Sequence, residues 1–284
     1  MKAFVSAAAL AACVLAATAC AAPPIPEAAA RPAATPTAAP SATPSPSPTP
    51  RALHALSHRV AARYPHDPDA FTQGLVFDRG RLFESTGLRG RSSVREVDMA
   101  TGAVLRMREV PPPYFAEGLA LVGDELVQIT WQESTAFRYS RDAFEDRGSW
   151  SYAGEGWGLA YDGDSLIMSD GSAQIRFRDP ATFAERRVIT VMEAGEPVVR
   201  LNELEWIDGA IWANVWQTDR ILRIDPSDGM VTGVLDLRDL LEPAARANAD
   251  VLNGIAWDPE RRLLLVTGKL WPTLFALEIV EQRE

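Results

Sequence analysis

The feature that most constrains this chain is a repeat. Five runs, GLVFDRGRLFEST, LALVGDELVQITW, LAYDGDSLIMSD, LEWIDGAIWANVW and IAWDPERRLLLVTG, each place two short apolar or alternating segments around a tight turn rich in Gly and Asp. That pattern is the signature of a β-hairpin. Setting Gln73-Gly74-Leu75 over Glu117-Gly118-Leu119, Trp157-Gly158-Leu159, Asn202-Glu203-Leu204 and Asn253-Gly254-Ile255 gives spacings of 44, 40, 45 and 51 residues. A third and sometimes a fourth strand follows each hairpin, as in SSVREVDMATGAVLRMREV and RILRIDPSDGMVTGVLDL. Units of this length with about four strands each predict an all-β fold, a five-bladed β-propeller of four-stranded antiparallel blades. A β-sandwich has no reason to recur at a fixed period. Only DLRDLLEPAARANADV and the segment before residue 60 read as helical.

Ahead of the repeats the composition changes. MKAFVSAAALAACVLAATAC has one early charge, Lys2, then an apolar run ending on small residues, the pattern of a secretion signal. Residues 21–50 hold ten prolines, which remove backbone donors and predict a stiff extended tether. The expected organisation is therefore a leader over 1–20, a Pro/Ala/Ser/Thr-rich tether over 21–52 and a propeller over 53–284, with export to the periplasm or beyond. Cys13 and Cys20 both fall in the leader, so the exported domain must be stable by packing without a disulfide. Ala17-Thr18-Ala19-Cys20 also reads as a lipobox, which would make Cys20 a lipid anchor; a passive leader cysteine is the other reading.

A formal charge of −10 argues against nucleic acid as a partner. The three histidines, His54, His58 and His66, all precede the first hairpin, and no thiolate is at hand, so no metal or other cofactor is expected. DGDS at 162–165 and DPSDG at 225–229 read as turns rather than calcium loops. No nucleophile elbow or phosphate-binding Gly-rich loop occurs.

In a propeller the first strands of the blades line a central channel, so equivalent positions converge. The residues before each Gly-Leu are Gln73, Glu117, Trp157, Asn202 and Asn253, and the ends of the second strands carry Thr86, Trp131, Asp170, Trp216 and, slightly further on, Lys269. Amides, a carboxylate and indoles in such rings describe a small-ligand site. Trp206 and Trp212 read instead as blade core. Lys2 and Lys269 are the only lysines against 26 arginines, so Lys269 is either a residue of codon bias or an ammonium kept for use.

The motifs PHDPDAFTQGL (65–75), LFESTGLRGRSSVR (82–95), YFAEGL (114–119), DGSAQIRFRDPATF (170–183), VVRLNELE (198–205), IWANVWQTDRI (211–221), DVLNGIAWD (250–258) and VTGKLWP (266–272) resemble the plant and bacterial glutaminyl-peptide cyclotransferases. The resemblance runs over about residues 63–280. It implies a metal-free propeller, expected as a monomer, that converts the N-terminal glutamine of peptides or proteins to 5-oxoproline with release of ammonia. It also implies that Phe71, Gln73, Phe115, Trp131, Trp157, Asn202 and Trp216 bind substrate around Glu117 and Lys269. The chemistry asks for such a set. A neutral α-amine attacks its own side-chain carboxamide, and the leaving nitrogen needs a proton. One carboxylate with its pKa raised by apolar surroundings can carry that proton between the two. Glu117 is the only acid of the first ring; Lys269, an amide or an indole N–H could stabilise the oxyanion. Two other classes remain open: an exported propeller that binds peptides or glycans without turnover, and a lactonase-type propeller holding calcium on Glu117, Asn202 and Asn253.

Overall fold

Alternation of apolar and polar residues carries nearly the whole fold. The computed structural model describes residues 53–281; the leader, the tether and Cys20 lie outside the described residues. β1 (His54–Pro65) precedes a first sheet of β2 (Thr72–Asp78), β3 (Arg81–Thr86), β4 (Ser93–Val97) and β5 (Val104–Glu109). A second sheet holds β6 (Ala116–Val122), β7 (Glu125–Thr130), β8 (Thr135–Ser140) and β9 (Asp146–Ser151), and a third β10 (Leu159–Tyr161), β11 (Leu166–Ser169), β12 (Gln174–Arg178) and β13 (Glu185–Thr190). After the small hairpin of β14 (Met192–Glu193) and β15 (Glu196–Pro197) come β16 (Leu201–Ile207), β17 (Ala210–Val215), β18 (Arg220–Ile224) and β19 (Val231–Asp236). The chain ends with α1 (Pro243–Arg246), β20 (Leu252–Asp258), β21 (Leu263–Gly268) and β22 (Thr273–Glu281).

The first three sheets are four-stranded antiparallel meanders. The last strands form one eight-stranded sheet in the order β16-β17-β18-β19-β1-β22-β21-β20. β1 is the correction to the sequence reading. The described part of the segment before residue 60 is strand from His54 on, not helix, because Leu56, Val60, Ala62 and Tyr64 fall on an every-second-residue pattern that lets β1 pair antiparallel with β22. β1 also runs parallel to β19 through His54–Leu56. The start of the described chain is thereby the fourth strand beside β20, β21 and β22. The stretch from Asp236 to Val251 delivers only the single helical turn of α1, entered through Pro243.

The tight turns match their sequence. Arg79 (φ 49°) and Gly80 (φ 81°) put both central residues in the left-handed region, the mirror-image turn whose twist suits a two-residue hairpin. The recurrent Gly-Leu has a different cause. β2 packs beside β6 and β20, β6 beside β10, β10 beside β16 and β16 beside β20. These first strands approach so closely that a Cβ on Gly118 would lie 2.4 Å from the Leu159 backbone nitrogen, and one on Gly158 2.0 Å from the Asn202 carbonyl oxygen. Any side chain there would push neighbouring sheets apart.

Apolar layers fill the spaces between neighbouring sheets. Phe83 and Val94 of the first meet Leu119, Leu126 and Tyr139 of the second. Val127, Ile129 and Ala136 of the second meet Leu159, Leu166 and Met168 of the third. Ile175 and Phe177 pack on Leu204, Ile211 and Leu222, and Trp212 joins Leu252, Ile255 and Phe275 in the next layer. Leu75 and Leu82 pack against Ala256, Leu265 and Ala276 and return to the first sheet. Burying a Leu, Ile or Phe side chain contributes about 1.5–3 kcal/mol, which lets this domain stand without a cystine.

Candidate active site

The segment from Pro65 to Phe71 is fastened to the chain around Lys269. His66 N donates to the Pro272 carbonyl at 3.0 Å and Leu270 N to the Ala70 carbonyl at 2.7 Å. The His66 ring donates through Nδ1 to the Trp271 carbonyl at 2.7 Å and faces Glu84 Oε1 through Nε2 at 3.1 Å. Buried Glu84 also accepts from Thr72 Oγ1 at 2.6 Å and Arg95 Nε at 2.8 Å, and Arg95 reaches Asp67 at 2.9 Å. Burial alone would raise the Glu84 carboxyl, but His66 and Arg95 outweigh it and hold it down at about 2. This network sets Phe71 and Lys269 side by side, with the Lys269 ammonium 4.8 Å from the Phe71 ring centroid.

Phe71, Gln73, Phe115, Glu117, Trp131, Trp157, Asn202, Trp216 and Lys269 all line one cavity of about 430 Å3. Glu117, at the start of β6, is 6 % exposed, and its backbone is fixed by Gly118 N donating to the Trp157 carbonyl at 2.8 Å and by the Ser85 hydroxyl donating to the Glu117 carbonyl. Gln73 Nε2 donates to Glu117 Oε1 at 3.1 Å. Asn253 in turn donates to Gln73 Oε1 at 3.3 Å and to the Thr72 carbonyl at 3.0 Å, so the Gln73 amide is oriented from beneath. Phe71 meets Phe115 edge-on at 6.1 Å, Phe115 meets Trp131 at 5.7 Å, and Trp157 meets Trp216 at 5.5 Å.

These walls govern the charges. Burial pushes the Glu117 carboxyl well above the ordinary carboxylate range; Lys269 pulls it back without cancelling the effect, and Glu155 and Glu133 push it further up. Burial lowers the Lys269 ammonium, with Glu117 and Asp250 opposing. Asn202 lines the cavity, and its buried oxygen Oδ1 has no hydrogen-bond partner among the described residues. A carboxyl held well above its ordinary range by burial, a cation, an unsatisfied amide and rigid aromatic walls suit a small neutral substrate that must be folded and deprotonated.

The chain matches the glutamine cyclotransferase family over residues 30–279. It belongs to that family. Glutaminyl-peptide cyclotransferase of Arabidopsis thaliana is 46% identical to it over 235 residues, 79% of this chain and 73% of the relative. The crystal structure of Myxococcus xanthus glutaminyl cyclase superposes with a TM-score of 0.77 at 37% identity, covering 82% of this chain and all (100%) of that one. As a member of the glutamine cyclotransferase family the chain is an enzyme.

Three of the sequence candidates stand outside this cavity. Asn253 is fully buried and does not line the cavity with Glu117 and Asn202; its Nδ2 donates to the Thr72 carbonyl and Gln73 Oε1, while its Oδ1 has no hydrogen-bond partner among the described residues. Thr86 shares a hydrogen bond with Ser93 at 2.7 Å, and Asp170 bonds Ser172 and pairs with Arg176 at 3.3 Å. Among the described residues no group of three or more His, Cys, Asp or Glu side chains gathers as a metal site. Trp212 is buried core, and Trp206 is half-buried against the same layer as Leu204. Conversely, Gln217, Asp250 and Val251 line the rim without having been singled out. Gln217 follows Trp216 directly, and Asp250 stands three residues before the ring residue Asn253, so adjacency to ring positions was the available signal.

Proposed function

We propose that the domain over residues 53–284 is a five-bladed β-propeller, its eight-stranded sheet being two blades joined edge to edge, that converts the N-terminal glutamine of peptides or proteins to 5-oxoproline. The observation that carries this reading is Glu117, buried between Gln73 and the indoles with its carboxyl held well above the ordinary range. In the reaction the neutral α-amine attacks the side-chain carbonyl carbon, a C–N bond forms, and Glu117 takes the amine's proton. The tetrahedral oxyanion is stabilised by the Lys269 ammonium. Glu117 then returns the proton to the amide nitrogen, whose bond to carbon breaks as ammonia departs. The Asn202 oxygen, which has no hydrogen-bond partner among the described residues, accepts an N–H from the substrate. Phe71, Phe115, Trp131, Trp157 and Trp216 hold the glutaminyl chain folded, so that amine and carbonyl are in near-attack geometry. No step needs a Lewis acid.

The leader-like residues 1–20 and the proline-rich tether support the further reading that the enzyme is exported and acts beyond the cytoplasm, with Cys20 as an anchoring point. The functional test is a coupled ammonia assay on a glutaminyl dipeptide, run before and after dialysis against a chelator. Ammonia release unchanged by dialysis supports the reading. No release at all would favour a binding propeller, and loss restored by added calcium or zinc would favour a metal-dependent one.

A further inference from the structure

The aromatic wall of the cavity has a break in it. Ring contacts run from Phe71 through Phe115 to Trp131, and separately from Trp157 to Trp216. Between Trp131 and Trp157 stands Glu155, in the loop joining β9 to β10. Its Oε2 accepts the Trp131 indole N–H at 2.7 Å and the Trp157 indole N–H at 3.0 Å, while Oε1 accepts from Gln132 Nε2 at 3.2 Å. One carboxylate thus joins two indoles that belong to different sheets. The loop that carries it is seated as firmly. Gly156 N donates to the Trp131 carbonyl at 2.9 Å, and a Cβ at Gly156 would lie 2.3 Å from the Tyr152 hydroxyl and 2.8 Å from the Thr130 carbonyl oxygen, so the chain can lie this close to the end of β7 only with glycine. Burial works against the Glu155 charge, but the Trp157, Gln132 and Trp131 donors prevail and hold its carboxyl below the ordinary value.

We propose that Glu155 is a positioning residue for cyclisation, an indole clamp that fixes Trp131 and Trp157 as the walls against which the glutaminyl side chain folds back on its amine. The inference rests on the cyclotransferase reading. Its chemical consequence is that both indole N–H groups are occupied and act on the substrate as apolar surface only. The oxyanion is left to Lys269 and the donors not so engaged. A free indole on either side can rotate, and a misplacement of about 1 Å costs up to about 100-fold in rate.

The test uses the full chain. In 1H–15N spectra without substrate, the indole peaks of Trp131 and Trp157, assigned by their loss in W131F and W157F, should move upfield in Glu155→Ala and stay near the wild-type position in Glu155→Gln, which keeps an acceptor oxygen. Steady-state kinetics on a glutaminyl dipeptide, on the pH plateau where Glu117 is fully ionised, should show kcat/KM falling roughly 10- to 100-fold in Glu155→Ala and largely rescued in Glu155→Gln. In a W131F/W157F background, or W131F alone if the double variant does not fold, Glu155→Ala should cost several-fold less than in the wild type. Unmoved indole peaks, or an equal loss in both backgrounds, would overturn the proposal. A wild-type enzyme that releases no ammonia while its indole peaks respond would refute the cyclotransferase reading and leave the clamp standing.

Discussion

Replacing Lys269 by Met removes one charge and keeps most of the apolar stem. Lys269 is 5 % exposed; its ammonium lies over the Phe71 ring and is hydrogen-bonded to no side chain among the described residues, so it is free to meet a developing oxyanion. The competing donors are mostly committed: the Trp131 and Trp157 indoles to Glu155, and Gln73 Nε2 to Glu117. Loss of a preorganised oxyanion donor costs about 2.7–4 kcal/mol, or roughly 100- to 1,000-fold in kcat. A second effect follows from the charge. Lys269 pulls the Glu117 carboxyl downward, so without it Glu117 rises further. With the ionised carboxylate as the proposed base, the acid limb of the kcat/KM profile should move to higher pH. The fold should survive, because Glu117 can take up a proton rather than remain a lone buried charge. Lys269→Arg keeps the charge but brings a bulkier, fork-shaped head into the cavity, and should lower kcat/KM less than Met or Ala does. The assay is ammonia release against pH for the three variants, with thermal unfolding alongside. A Met variant within a few-fold of wild type with an unmoved acid limb, or an Arg variant equal to wild type, would refute the role and leave codon bias as the explanation of this lysine.

The pH profile of the unmodified enzyme should be a bell with both limbs drawn inward. Glu117 is raised, so its carboxylate is lost on acidification well above the ordinary value of 4.5; Lys269 is lowered, so its ammonium is lost below the ordinary 10.5. An acid limb of kcat/KM at ordinary carboxylate pH would contradict the burial argument. Glu84→Gln should destabilise the domain by about 3 kcal/mol, the lower end for a broken buried pair, since Arg95 keeps only the Asp67 carboxylate as its counter-charge. In the unmodified protein the Glu84 contribution is present above the ordinary carboxylate pKa and is lost as pH falls towards about 2. Denaturant titrations of wild type and variant check both; equal midpoints would show the network to be idle.

Much of this is legible in the sequence because two signals are local. Alternation within a hairpin and the recurrence of Gly-Leu name the strands and align them, and alignment alone places Gln73, Glu117, Trp157 and Asn202 in one cavity, as the structure does. Phe71 and Phe115 come from family motifs and not from ring position. β1 escapes a local reading because its role is set by β19 and β22, more than 170 residues away, and nothing within HALSHRVAARYP announces a partner. Asn253 is misplaced on the cavity because ring alignment gives a position along the channel but not which way an amide turns; its hydrogen bonds to Thr72 and Gln73 decide that. Glu155 is invisible for a similar reason. Two residues before Trp157, it looks like a loop acid until Trp131 arrives from the neighbouring sheet.

The central claim is that one carboxyl, Glu117, carries the proton from amine to leaving nitrogen. Glu117→Gln preserves shape and removes the shuttle, and the substituted amide can still meet the Gln73 side chain after a flip. Single-turnover release of ammonia from a glutaminyl dipeptide, paired with calorimetric binding of the same peptide, measures the claim directly. The account predicts binding close to wild type and a rate reduced by at least about 100-fold, the lower end of a lost acid-base catalyst. A variant that binds and cyclises at the wild-type rate would contradict it.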